Sequence, residues 1–143
     1  YAITDPNNLN NRPAQQQFSL LLVDTDHFKN INDLFGHLKG DEVLIALSRT
    51  LEACSRENDM VFRWGGEEFV ILLPHTSLDT ALQIAESIRA AVARITIPGF
   101  PRFTVSIGVA RHNPGETIDE LFKRVDDALY RAKNDGRNKV LAA

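Results

Sequence analysis

The stretch MVFRWGGEEFVILLP, Met60 to Pro74, decides the fold. Two runs, Met60 to Trp64 and Glu67 to Leu73, read as strands, and Gly65-Gly66 between them is a two-residue hairpin signal. Pro74 ends the second run. A tight hairpin joins antiparallel strands only, because parallel strands need a long crossover. The sheet built around this hairpin is therefore expected to be mostly antiparallel.

Upstream, Phe18 to Val23 is a short apolar run ending at Asp24 and reads as a buried strand. Asp26 is placed to cap a helix carrying Phe28, Ile31, Leu34 and Phe35, which Gly36 stops. Asp41 is placed to cap a second helix with Val43, Leu44, Leu47 and Leu51 on one face. Downstream, Leu78, Leu82, Ala85, Ile88 and Val92 recur at helical spacing. Phe103, Val105, Ile107 and Val109 alternate with Thr104, Ser106 and Gly108, the period of a strand with one buried face. Thr117-Ile118-Asp119-Glu120 is a capping box before a helix striped by Leu121, Val125 and Leu129. Asn138 to Leu141 closes the chain with a short strand. The order is strand, helix, helix, strand, strand, helix, strand, helix, strand. The fold class is α/β (α+β), a central, mostly antiparallel five-stranded sheet flanked by helices. Residues 1–17, rich in Asn and Gln, read as a polar lead-in or linker, and residues 18–143 as a single domain.

At about 100–200 residues per domain, 143 residues make one domain. The formal charge of −3 argues against a general nucleic-acid binder, which is usually basic, and leaves a small phosphate ligand open. One cysteine, Cys54, excludes an internal disulfide, and the cytoplasm is the natural compartment. No apolar run approaches the roughly 18 residues of a membrane span, and no signal-peptide pattern opens the chain. No membrane contact is expected from this domain. Tyr1 in place of an initiating Met fits a segment of a longer protein, for which membrane attachment elsewhere stays open.

Three acids stand where folding does not require them. Asp24 ends a buried strand, and Glu67 and Glu68 follow the glycine tip. If the first strand lies beside the hairpin, the three converge and suit a hard dication such as Mg²⁺, which takes one or two carboxylates and binds substrate phosphates. The plainer alternative is solvated acids at turns. Consecutive strand residues point to opposite faces, so Glu67 and Glu68 are not expected to share one role. Gly65 and Gly66 let a phosphate or ribose approach the backbone. Lys29 lies at a helix start, where N–H groups bind phosphate. Lys133 and Arg137 flank Gly136 at a helix end, where cations bind phosphate or merely complement the macrodipole. Asn32 and Asp41 have the acceptors to read a guanine edge, although Asn32 taken alone reads first as a surface helix residue. His27, His37, His75 and His112 lack zinc spacing.

Beyond these residues, four blocks carry a resemblance. Arg63 to Phe69, RWGGEEF, is very similar to the signature of the GGDEF family of diguanylate cyclases. Asp24 to Asp41, DTDHFKNINDLFGHLKGD, resembles that family's D-x-D-x-F-K-x-x-N-D-x-x-G-H-x-x-G-D, and Val105 to Ala110 and Asp126 to Asn138 match further blocks in order. The resemblance covers nearly everything from Phe18 onward. It implies a fold like the palm of adenylate cyclases and polymerases, and condensation of two GTP into cyclic di-guanylate with release of two pyrophosphates across a homodimer. It implies Mg²⁺, with Mn²⁺ as the alternative ion, on Asp24, Glu67, Glu68 and the Thr25 carbonyl. Glu68, Glu67 and Asp24 become the catalytic acids. Asn32 and Asp41 become guanine readers, Lys29, Lys133 and Arg137 triphosphate contacts, and Phe28 and Leu44 neighbours of the nucleotide. Arg56 and Asp59 match the family's R-x-x-D inhibitory site, which binds the product. The alternative is a catalytically weak module that binds GTP or cyclic di-guanylate and signals. One block departs: Asp5 to Arg12, DPNNLNNR, stands where the family has D-x-L-T-G-L-x-N-R, which bears on one apolar wall of the guanine pocket.

Overall fold

The computed structural model describes residues 17–143, so the departing Asp5–Arg12 block lies outside the described residues. The elements are β1 (Phe18–Thr25), α1 (Phe28–Phe35), α2 (His37–Cys54), β2 (Met60–Arg63), β3 (Glu68–Pro74), α3 (Leu78–Ala93), β4 (Val105–Arg111), α4 (Ile118–Asn134) and β5 (Val140–Ala142). They follow the expected order. The sheet runs β2-β3-β1-β4-β5. Its first three pairings are antiparallel, and β5 joins β4 in parallel after the α4 crossover.

All eight residues of β1 are buried, because helices cover both faces of the sheet. Phe18, Leu20 and Leu22 pack with Val70, Leu72 and Ala110 under Leu121, Val125 and Leu129 of α4. Leu21 and Val23 face the other way, with Phe69, Ile71, Leu73, Val105, Ile107 and Val109, against α2 and α3. Period-2 alternation thus divides one strand between two cores.

The one buried face expected of β4 is corrected to two, since Val105 to Ala110 are all buried. Its α4 side carries only Ser106, Gly108 and Ala110, small residues that let the helix backbone close in. A Cβ on Gly108 would lie 2.4 Å from the Val125 carbonyl oxygen and 2.7 Å from the Leu129 nitrogen. The alternation was real, but it sorted large from small residues rather than buried from exposed ones.

Local boundaries also shift. Asp26 does not cap α1; His27 is the N-cap, with φ 57° and no side-chain capping bond, and Asp26 turns inward. Asp41 does not open α2, which begins at His37 directly after Gly36 and carries Asp41 inside it. Gly36, at φ 88°, serves as the C-cap of one helix and the N-cap of the next, so no loop remains for Asp41 to cap. The hairpin tip has three residues rather than two. The Trp64 N–H donates to the Glu68 carbonyl at 2.8 Å, setting those residues opposite each other and leaving Gly65, Gly66 and Glu67 in the loop. The Thr117–Glu120 capping box forms as expected.

Gly108→Ala forces a methyl group into the α4 backbone. It is expected to cost about 1–3 kcal/mol, the usual penalty for overpacking, read as a lower urea midpoint; an unchanged midpoint contradicts this close approach.

Candidate active site

Asp24 is 2% exposed at the end of β1, opposite Glu68 on β3 and Ser106 on β4. Its Oδ2 accepts from the Lys133 ammonium of α4. Its Oδ1 is buried without a partner, as is the Thr25 hydroxyl. Burial pushes the Asp24 carboxyl above the usual range, against the lowering effect of Lys133, and Asp26 adds to the rise. Glu67 and Glu68 are also raised, first by burial and then by the Asp24 charge. Asp126 contributes further at Glu68. Of the three acids predicted to converge, Asp24 and Glu68 lie opposite each other in the sheet, and the Asp24 charge acts on both glutamates.

Glu67 and Glu68 serve different spaces, although not through strand alternation, since Glu67 is in the loop. Glu67 lines a cleft of about 240 Å³ with Thr25, Phe28, Lys29, Lys133 and Arg137. Glu68 lines a cleft of about 600 Å³ on the α4 side. There Trp64 and Phe122 of α4 stack at 5.0 Å, an aromatic wall that the sequence reading missed; the alternation of Met60 and Phe62, continued past β2, would have put Trp64 on that side.

The smaller cleft suits phosphate. It opens at the N-terminus of α1, whose first N–H groups have no acceptor inside the helix. Lys29 comes from that first turn, and Lys133 and Arg137 reach the same cleft from the end of α4. The alternative for Lys133 and Arg137, simple complements to the macrodipole, does not account for this convergence.

Gly65 and Gly66 are exposed, and neither has a left-handed φ. A Cβ on Gly66 would meet nothing, and one on Gly65 only the Glu68 side chain at 3.5 Å. Neither turn conformation nor internal packing demands glycine at both positions, which leaves backbone open to an incoming group.

At the junction of α1 and α2, a Cβ on Gly40 would lie 1.9 Å from Asn32 Oδ1 and 3.4 Å from the Phe28 ring. Gly40 thus makes room for the Asn32 carboxamide, whose Oδ1 is buried without a partner. Asp41, the next residue, is exposed and lines a cleft of about 610 Å³ with Leu44, Arg49 and Arg63. Phe28 and Leu44 are buried in the core beneath.

Arg56 and Asp59 precede β2 at its end away from Glu68, next to the end of β3. Asp59 Oδ2 accepts from the Arg56 backbone N–H at 2.8 Å, and its Oδ1 accepts from Arg56 Nη2 at 2.8 Å. Arg56 Nη2 also donates to Thr76 Oγ1 at 2.6 Å. The Asp59 side chain is 1% exposed and that of Arg56 44%, so Asp59 orients the guanidinium and Arg56 meets solvent.

Among the described residues, no three His, Cys, Asp or Glu side chains are gathered closely enough to enclose a metal ion. The donors nonetheless fit a hard cation. Asp24 has a buried oxygen without a partner, and its charge disfavours the ionised forms of Glu67 and Glu68; a divalent ion would relieve both conditions. No described helix is long and apolar enough to cross a membrane.

Comparison with known proteins identifies the family. The family model for the diguanylate cyclase GGDEF domain matches residues 5–139, and the chain belongs to this family. Its particular relatives include the diguanylate cyclase DgcM of Escherichia coli K12, 69% identical over 143 residues. That alignment takes in all of this chain and 35% of DgcM, so the chain spans about a third of the relative's length. The active GGEEF domain of a diguanylate cyclase from Vibrio cholerae superposes with a TM-score of 0.85 at 36% identity, over 99% of this chain and 88% of that one. The GGDEF domain of DgcB from Caulobacter crescentus, solved with c-di-GMP, also gives 0.85, at 32% identity over 89% and 78% of the two chains.

A carboxylate whose pKa rises on folding contributes stability below its ordinary range and withdraws it as pH climbs through the raised value. Glu68→Gln mimics a permanently protonated Glu68. It is expected to melt above the parent near neutral pH, with the gap closing as pH falls to about 4, where unperturbed carboxylates titrate. A gap that widens on acidification contradicts the crowding.

Proposed function

We propose that the chain is a diguanylate cyclase domain that condenses two GTP into cyclic di-guanylate and two pyrophosphates. The observation that carries this reading is the buried, half-unpartnered Asp24, opposite Glu68 in the sheet and paired with Lys133, which lines a cleft with Glu67, Lys29 and Arg137. The named activity of DgcM and the c-di-GMP bound to DgcB support it.

The N-terminal N–H groups of α1, with Lys29, Lys133 and Arg137, hold the triphosphate. Asn32 and Asp41 accept from or donate to the guanine edge, and Gly40 keeps the Asn32 carboxamide in reach. Gly65 and Gly66 let the sugar-phosphate lie against the loop. Glu68 takes the proton of the attacking 3′-hydroxyl; burial and the Asp24 charge raise its pKa, which makes it a better proton acceptor than an ordinary carboxylate. The 3′-oxygen forms a bond to the α-phosphorus of the other GTP. The bond from that phosphorus to the oxygen bridging to the β-phosphate breaks, and pyrophosphate departs. The same step in the opposite sense closes the ring.

Asp24, Glu67, Glu68 and the Thr25 carbonyl would hold Mg²⁺ or Mn²⁺. When bound, the ion lowers the pKa of the 3′-hydroxyl and offsets phosphate charge. Lys133 is paired with Asp24 and lines the phosphate cleft, so it would be free to bind phosphate where an ion takes its place on Asp24. Each chain holds one GTP, so two chains meet with their sites opposed in an isologous dimer. GTP as substrate places the domain in the cytoplasm. Arg56, held by Asp59 and Thr76, presents a guanidinium that stacks on and forks to guanine, which suits product binding and feedback inhibition. The alternative, a signalling module that binds without turnover, is disfavoured because no acid or cation of the set is missing.

The test is turnover of GTP with Mg²⁺ across a protein dilution series, with the product identified. Cyclic di-guanylate is expected, at a rate per chain that rises with concentration, and Glu68→Ala should lose at least about 100-fold, the low end for a general base. GTP binding without pyrophosphate release supports the signalling module instead. Separately, added cyclic di-guanylate should slow the parent and leave Arg56→Ala unaffected; equal inhibition of both removes Arg56 from the product site.

A further inference from the structure

We infer that Asp26 is a positioning residue that clamps the turn after α4 and thereby sets Arg137 in the phosphate cleft. The inference rests on the phosphate-binding reading of that cleft. Asp26 is 5% exposed, two residues beyond Asp24, and borders the same cleft as Arg137, but the two acids are hydrogen-bonded differently. Asp26 Oδ1 accepts from Ser106 Oγ at 2.7 Å. Its Oδ2 accepts from Thr104 Oγ1 at 2.7 Å and from the Asn138 backbone N–H at 3.0 Å. Its own N–H donates to the Thr104 carbonyl at 2.9 Å. Both oxygens are engaged, whereas Asp24 keeps Oδ1 free. The acid with a free oxygen suits a cation, and the saturated one suits a clamp.

The bond to Asn138 is the one that reaches the site. Gly136, Arg137 and Asn138 follow α4 with φ of 104°, 60° and 49°. Left-handed backbone is unfavourable for residues with a Cβ, and two in succession persist only where their surroundings hold them. The Arg137 N–H donates to the Ala132 carbonyl at 3.0 Å on one side of the turn. On the other side Asn138 is held twice, by Asp26 at its N–H and by Arg89 Nη1 of α3 at its Oδ1, 2.9 Å. Arg137 lies between these anchors and lines the cleft with Lys29 and Lys133. If Asn138 is released, the strained pair relaxes and takes the guanidinium with it.

The experiment is calorimetric titration of the 143-residue chain with inorganic tripolyphosphate in Mg²⁺ buffer, for the parent, Asp26→Asn, Arg137→Ala and the double variant. Each single change is expected to weaken binding about tenfold, the weight of one charge-assisted hydrogen bond. The double variant should bind no more weakly than Arg137→Ala alone, because both changes remove the same contact. A purely structural role would add its loss to that of Arg137→Ala, and that result, or unchanged binding in Asp26→Asn, overturns the inference. If Asp26→Asn does not fold, Arg89→Ala releases the other anchor of Asn138 and should weaken binding in the same non-additive way; additive or absent loss overturns it equally. Dinucleotide formation is followed in parallel: a parent that binds tripolyphosphate but makes no cyclic di-guanylate removes the proposed activity and leaves the clamp standing, whereas a parent that binds no tripolyphosphate overturns the clamp's purpose.

Discussion

A carboxylate buried at the end of the central strand organises this molecule. Asp24 sits where β1 emerges between β3 and β4, with one oxygen on Lys133 and the other without a partner. Burying a charge is unfavourable unless it is paired and hydrogen-bonded, and here the pairing is left half complete. The neighbours carry the consequence. Glu68 lies directly across the ladder, and Glu67 stands in the loop beside it; each is pushed toward protonation by burial and by Asp24. Such an arrangement is poor for stability, and perturbed carboxylates of this kind cluster at functional sites, which is the basis of the proposed cation and phosphate site.

The rest of the fold serves to bring groups of distant sequence to that point. Two-sided burial fixes β1 in the middle of the sheet, so its end is set by both neighbours. The small face of β4 lets α4 lie close over the sheet, and this approach delivers Lys133 to Asp24. The left-handed turn that follows α4 brings Arg137 back to the start of α1. Stability and function thus meet at Gly108: the packing that seats α4 is also what positions two of the cations.

Much of this was legible in the chain. Element order, the five strands, the antiparallel hairpin, the capping box at Thr117 and the acids at the strand ends all follow from local periodicity and turn chemistry. The catalytic and phosphate-binding candidates came instead from the motif blocks and the family they resemble. The misreadings were local in a consistent way. Asp26 and Asp41 have the composition of helix caps, but tertiary hydrogen bonds claimed one and a single-glycine junction left no place for the other. The extra loop residue at the hairpin depended on register, which two glycines alone do not specify. The two-sided burial of β4 looked one-sided because Gly108 and Ser106 read as polar-face residues when they are small contacts under a helix.

The sequence by itself determined which residues could do chemistry and the order of the elements, because periodicity, turn residues and motif spacing act over a few positions. Only the tertiary structure decided how the acids divide their work. Whether an aspartate keeps a free oxygen depends on donors that arrive from far along the chain: Lys133 for Asp24, and Thr104, Ser106 and Asn138 for Asp26. Two identical side chains, two residues apart, differ in use because packing saturates one and leaves the other half open.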